Sequence, residues 1–179
     1  SYAGDFYQFE NAVVTPRPFQ EPHPPLRMAA NSPETFPQVA KAGLALFVGL
    51  RDLDIPELQA QLGSYRDAWS ESGQPGRASV YLRLPVYAGE TERSAMEDAR
   101  ESITYFFKRH AELTQAGLGR AGAGPDDRRS ARLERLKRMT YDEICRTRVV
   151  FGTAPALIDR LRALQQELGL DGIIIEPNA

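Results

Sequence analysis

RMAANSPETFPQVAKAGLALFV, Arg27 to Val48, passes from strand to helix to strand within one short stretch. LRMAA, starting at Leu26, reads as a short strand. Phe36 to Gly43 reads as a helix, with Gly43 suited to its C-terminal end because glycine adopts the left-handed conformation at no steric cost. LALFV, Leu44 to Val48, is apolar throughout, the signature of a strand buried on both faces. Between the first strand and the helix stand Asn31, Ser32, Pro33, Glu34 and Thr35. Ser32 can cap a helix whose first position is Pro33. The amides at a helix start lack internal partners and can take a phosphate, to which the Ser32 and Thr35 hydroxyls and the Asn31 N–H would add donors. Glu34 opposes a nearby phosphate unless it points away, and Pro37 moves the helix start later if Phe36 and Pro37 begin it. The residues therefore leave two readings open, an ordinary cap or an anion site.

Moving outward, the strand–helix alternation continues. Pro56 precedes Leu58, Leu62, Tyr65 and Trp69, whose spacing puts them on one helical face. SVYLRLPVY, Ser79 to Tyr87, alternates Val80, Leu82, Leu84 and Val86 against Tyr81, Arg83 and Tyr87, a strand with an irregularity at Pro85. Thr91 can cap a long helix carrying Ala95, Ala99, Ile103 and Phe106. The glycine-rich, charged QAGLGRAGAGPDDRRS reads as a flexible insertion over 117–130, and ARLERLKRMTYDEICR as helical. GTAPALIDRLRALQQELG forms an amphipathic helix through Leu157, Ile158, Leu161, Leu164 and Leu168, and leads to the strand IIIE. Ahead of all this, Phe6 to Val14 predicts a hairpin turning at Glu10-Asn11. The five prolines from Pro16 to Pro25 predict an extended loop lying over a surface.

The strands fall at about 26–30, 44–48, 79–87 and 172–176. Apolar strands alternating with helices imply parallel βα units. With an eight-stranded barrel needing about 250 residues, this chain reads as half of one, a single partial domain over 1–179, or as a small open α/β sheet. The start at Ser1 and the end in GIIIEPNA predict a piece of a longer protein.

The 179 residues are 42% hydrophobic and 26% charged, with formal net charge −2. That balance gives no global attraction to nucleic acid or to an anionic membrane, and no apolar run approaches the roughly 20 residues that span a bilayer. The lone Cys145 favours a reducing, cytoplasmic setting. His23 reads as a loop-packing residue, His110 as solvated on a helix, and DDRRSARLERLKR as a wet helix face; no metal-ligand spacing is present. Arg83 and Glu176, on strands that would be neighbours, predict an ion pair, with a role at the substrate end of a site as the alternative. No nucleophile elbow, P-loop or dinucleotide fingerprint occurs.

Three segments in order, GDFYQF, PRPFQEPHPP and AANSPET, resemble the middle of a luciferase-like, flavin-dependent monooxygenase, and FGTAPALIDRLRALQQELGLDGIIIEPN is similar to the last helix and strand of the same barrel. The resemblance implies a partial TIM (β/α)8 barrel supplying strands five to eight with their helices, preceded by an extended hairpin segment. It implies reduced FMN as cofactor, with the deazaflavin F420 as alternative, held at its phosphate by Ala30, Asn31, Ser32 and Thr35. It further implies O2 and a small organic substrate, a flavin reductase as FMNH2 source, and pairing with the missing half-barrel or homo-oligomerisation. Catalytic residues stay unassigned, and the chain alone is expected to be inactive. A non-catalytic flavin- or phosphate-binding scaffold is the rival reading.

Overall fold

The computed structural model describes residues 1–21, 23–120 and 128–177. Its centre is a parallel sheet. β3 (Arg27–Ala29) pairs with β4 (Ala45–Gly49), β4 with β5 (Val80–Ala88), and β5 with β7 (Gly172–Glu176), following a short hairpin of β1 (Tyr2–Ala3) and β2 (Gln8–Phe9). Each crossover carries a helix: α1 (Thr35–Lys41), α2 (Ile55–Glu71) and α6 (Ala154–Leu168). This is the strand-to-helix plan expected of half a (β/α)8 barrel, with four parallel strands in sequence order.

Alternation along the strands creates two sheet faces. Leu46 and Val48, with Val80, Leu82, Leu84 and Val86, are buried in one core with Phe36, Val39, Leu58, Leu62, Tyr65, Leu164 and Leu168 of the three helices. Burying a leucine or valine side chain this fully stabilises by about 1.5–3 kcal/mol. The opposite face carries Phe47, Tyr81 and Arg83 half-buried, with the Arg27 guanidinium 4.0 Å from the Tyr81 ring centroid. Tyr65 crosses the core to donate to the carbonyls of Leu44 (3.0 Å) and Ser79 (3.3 Å). Burial pushes its phenol up to about 12, so it stays a neutral donor.

Between β5 and α6 the chain leaves the sheet for a helical excursion: α3 (Glu92–Arg120), α4 (Arg128–Arg138), α5 (Tyr141–Thr147) and the three-residue strand β6 (Val150–Gly152), which pairs with the far end of β5. Ile103, Phe107, Leu133, Leu136 and Ile144 give it a second core of its own.

Several expectations change. The hairpin lies earlier than 6–14: Tyr2 faces Phe9 with rings 5.6 Å apart, and the Gly4 N–H bonds the Tyr7 carbonyl at 2.9 Å, while Asn11 only kinks the chain beyond it with φ 50°. Ile158 does not join the core but is 48% exposed, because Leu157, Leu164 and Leu168, with Leu161 partly buried, make the face of α6 that meets the core. Of the flexible insertion over 117–130, residues 117–120 end α3, 128–130 begin α4, and 121–127 lie outside the described residues. Among the described residues, no helix is long and apolar enough to cross a membrane.

Candidate functional site

The loops after β3 and β4 emerge at the C-terminal ends of parallel strands, the end where such sheets carry their sites. The β3 loop is 30–34. Ala30 is its floor: the side chain is buried in the core and the N–H is committed to the Phe47 carbonyl at 3.3 Å. Asn31 is exposed, and its carbonyl accepts from Arg132 at 2.8 Å. Ser32 and Thr35 lie together, their hydroxyl oxygens 2.8 Å apart, and the Thr35 N–H closes a turn on the Ser32 carbonyl at 3.0 Å.

Ser32 is therefore not the helix cap. The helix starts at Thr35, after a turn through Pro33 and Glu34, and Glu34 occupies the cap position without a side-chain cap bond. The physical reason is Pro37. A helix begun at Pro33 would place it inside, where its ring clashes with the preceding turn; begun at Thr35, it stands in the first turn, where an N–H has no helical partner anyway. The Glu34 carboxyl lies below its ordinary range, first because its backbone N–H bonds it, then because of the Ser32 hydroxyl, with Arg128 and Arg132 adding favourable charge.

Those arginines come from α4. Arg128, Arg132 and Arg135 recur at steps of four and three, one stripe of the helix. Arg135 donates to Asp54 (3.2 Å), to Glu57 (2.8 Å) and to the Asp52 carbonyl (3.2 Å). Asp54 and Glu57 are themselves the reciprocal cap of α2, so Arg135 grips a finished helix start. Burial alone would raise the Glu57 carboxyl; the Arg135 hydrogen bond, the Asp54 cap and the charges of Arg135 and Arg132 outweigh it and leave the group lowered. A cleft of about 310 Å³ opens between α4, the start of α2 and Pro33 of the β3 loop, with Arg128, Arg132, Arg135, Glu57 and Gln61 on its walls.

Two further contacts fasten the excursion to the β4 loop. His110 and Asp52 meet at 2.7 Å (Nε2 to Oδ1), so His110 is partly buried in an ion-pair geometry rather than solvated. Burial disfavours the Asp52 carboxylate, but the bond to His110 and the charges of His110, Arg51 and Arg132 prevail and lower it. Arg148 is 4% exposed and donates Nη1 to the carbonyls of Leu50 (2.8 Å) and Leu53. Burial holds its guanidinium below the ordinary range, with Arg135 adding like-charge repulsion.

On the other sheet face Arg83 and Glu176 form the expected ion pair, brought together by the β5–β7 register. They stand beside a second cleft of about 360 Å³ with Pro85, Phe106 and Ile174.

The sequence brought Ser32 and Thr35 into view and missed the α4 arginines, which read as a wet face. The available signal was the spacing of Arg128, Arg132 and Arg135. His110 and Arg148 gave none, since their partners are distant backbone and loop groups.

Fold and site together define an α/β protein whose parallel strands present, at their C-terminal ends, a loop with a hydroxyl pair onto which Arg132 docks. The profile of the luciferase-like monooxygenases matches residues 1–172, and the chain belongs to that family. It is 26% identical over 168 residues to the oxygenase component of a flavin-dependent trigonelline monooxygenase from Acinetobacter baylyi, covering 90% of this chain and 44% of that protein. Among solved structures it resembles the oxygenating constituent of 3,6-diketocamphane monooxygenase from Pseudomonas putida, in complex with FMN (TM-score 0.63, 16% identity, 87% of this chain and 42% of that one). It also resembles an F420-dependent secondary alcohol dehydrogenase in complex with an F420–acetone adduct (TM-score 0.64, 12% identity, 99% and 49%). The chain thus spans about half the length of the relatives it matches.

Proposed function

We propose that the chain is the strand-five-to-eight part of a flavin-dependent monooxygenase that uses reduced FMN and O2 to oxygenate a small organic substrate. The observation that carries this is the pairing of the Ser32 and Thr35 hydroxyls, 2.8 Å apart at the mouth of β3. Two hydroxyls beside arginine side chains form a donor set suited to a phosphoryl group, whose oxygens accept several charge-assisted hydrogen bonds. The family membership supports a flavin as the bearer of that phosphate. Bound reduced flavin supplies the electrons for activating O2; the chain's residues supply the grip and the shape. Ser32 and Thr35 would hold the phosphate end, Ala30 would set the loop floor, and Asn31 would be fixed by Arg132. The face carrying Phe47, Tyr81 and the Arg83–Glu176 pair would wall the ring and substrate and exclude water. On this reading the other strands of the barrel, a flavin reductase and a cytoplasmic setting complete the system.

Replacing Ser32 and Thr35 together by alanine in the full-length protein should weaken FMN binding at least about tenfold, or about 1.4 kcal/mol. Unchanged flavin fluorescence quenching rejects the assignment. Oxygen uptake with FMNH2 and a panel of aldehydes and ketones tests the activity. The fold likeness to the F420-dependent dehydrogenase supports a second reading, in which the same loop holds F420 and the reaction is a dehydrogenation. Mass spectrometry of the cofactor released from the purified protein separates the two.

A further inference from the structure

We propose that Arg128 and Arg132 of α4 form the second wall of the phosphate site, and that the Glu34 carboxylate is the anion they face until a phosphoryl group displaces it. This rests on the reading of the β3 loop as a flavin phosphate cradle and adds to it both a pair of cations and an internal competitor.

Three observations meet here. First, Arg132 is anchored through the Asn31 carbonyl at 2.8 Å, which fixes a five-donor guanidinium on the loop that carries the Ser32–Thr35 pair. Second, the stripe of α4 is divided in its duties. All three arginines line the cleft beside Pro33, but Arg135 is spent there on Asp54 and Glu57, whereas Arg132 reaches the β3 loop. Third, Glu34 is an exposed carboxylate of the same loop, two residues after Ser32, held below its ordinary range first by its own backbone N–H and the Ser32 hydroxyl and then by the charges of both arginines.

A phosphate monoester brings nearly two negative charges to this place. It cannot share the donors with a carboxylate without repulsion, and Glu34 has a long side chain with open solvent beside it. Displacement is therefore cheap, and the arginines then face a stronger anion than the one they lost. Glu34 would keep the loop in its binding shape while also weakening phosphate affinity, and it would give the site no hold on a flavin without a phosphate.

The test is flavin binding to the full-length protein, measured as fluorescence quenching with FMN and with riboflavin, which lacks the phosphate, and repeated with inorganic phosphate as competitor. R128Q and R132Q should each lower FMN affinity about three- to tenfold and leave riboflavin affinity unchanged, as loss of a charge-assisted bond predicts. R132K should recover part of the loss. E34Q should raise FMN affinity by about threefold and make inorganic phosphate a better competitor. Arg128 is exposed on α4, so its variant keeps the test valid even if R132Q disturbs folding. An FMN-to-riboflavin ratio that falls in the Ser32/Thr35 double variant but not in R128Q overturns the inference and leaves the cradle standing. Weaker FMN binding by E34Q overturns the displacement of Glu34. Equal affinity of the unaltered protein for FMN and riboflavin overturns the cradle itself.

Discussion

Helices α1 and α2 both follow neighbouring parallel strands, yet their starts are built in opposite ways. At α2, the Asp54 carboxylate accepts from the Glu57 N–H at 2.9 Å and Glu57 returns the bond to the Asp54 N–H at 3.1 Å. Arg135 then neutralises both carboxylates. At α1, no side chain caps the helix; the hydroxyls of Ser32 and Thr35 meet at 2.8 Å, and the Ser32 hydroxyl also favours the Glu34 carboxylate. The first start is closed by its own sequence and adds stability to the fold. The second leaves its donors for something outside the chain. One helix, α4, serves both, gripping α2 with Arg135 and reaching the α1 loop with Arg132.

Breaking the fastenings separately should separate stability from binding. The largest effect belongs to Arg148→Met, which strips the buried Leu50 and Leu53 carbonyls of their donor; urea unfolding should show a loss of about 3 kcal/mol. Next, Asp54→Ala opens the α2 cap and removes one of the three acceptors of Arg135. Stability should fall by about 1–2 kcal/mol, with the ratio of FMN to riboflavin affinity unchanged. The Ser32→Ala/Thr35→Ala pair should do the reverse: thermal unfolding shifts little, and FMN binding drops about tenfold. If the Ser32→Ala/Thr35→Ala pair, like Asp54→Ala, acts on stability alone, the contrast between the two helix starts has no functional meaning.

The smallest effect is a pH dependence. The Asp52 carboxyl is lowered in the folded state, so its pairing with His110 contributes stability that is fully present above the ordinary carboxylate value of 3.8 and is lost as pH falls through the lower folded value. Asp52→Asn should flatten the acid limb of the stability–pH curve, followed by circular dichroism from pH 5 to 2. An unchanged acid limb would show that the excursion is held to the β4 loop without this pair.

Much of the sheet was legible in the sequence because its periods are strong. SVYLRLPVY alternates cleanly, and the apolar LALFV was legible as a strand, although only Leu46 and Val48 on one face are fully buried and Phe47 on the other is half-buried. Arg83 and Glu176 could be paired in advance, since parallel neighbours in register bring their ends together. The three-residue β6 was illegible because so short a strand carries no period, and its partner is the far end of β5. The α4 arginines hid in a stretch of mixed charge, which reads the same whether the helix faces water or docks on two loops. Burial of Arg148 was equally hidden: its acceptors are backbone carbonyls, which every residue has. The loop at 30–35 was half legible. The hydroxyls were visible, but the position of the helix start depended on whether Pro33 or Pro37 would take the first turn.

The most direct test of the anion cradle is a crystal structure of the full-length protein with FMN. The account predicts the phosphoryl group within hydrogen-bond distance of the Ser32 and Thr35 hydroxyls, with Arg132 still on the Asn31 carbonyl and the Glu34 carboxylate turned out to solvent. A flavin phosphate bound elsewhere, with the Ser32–Thr35 bond intact and Glu34 unmoved, would contradict it.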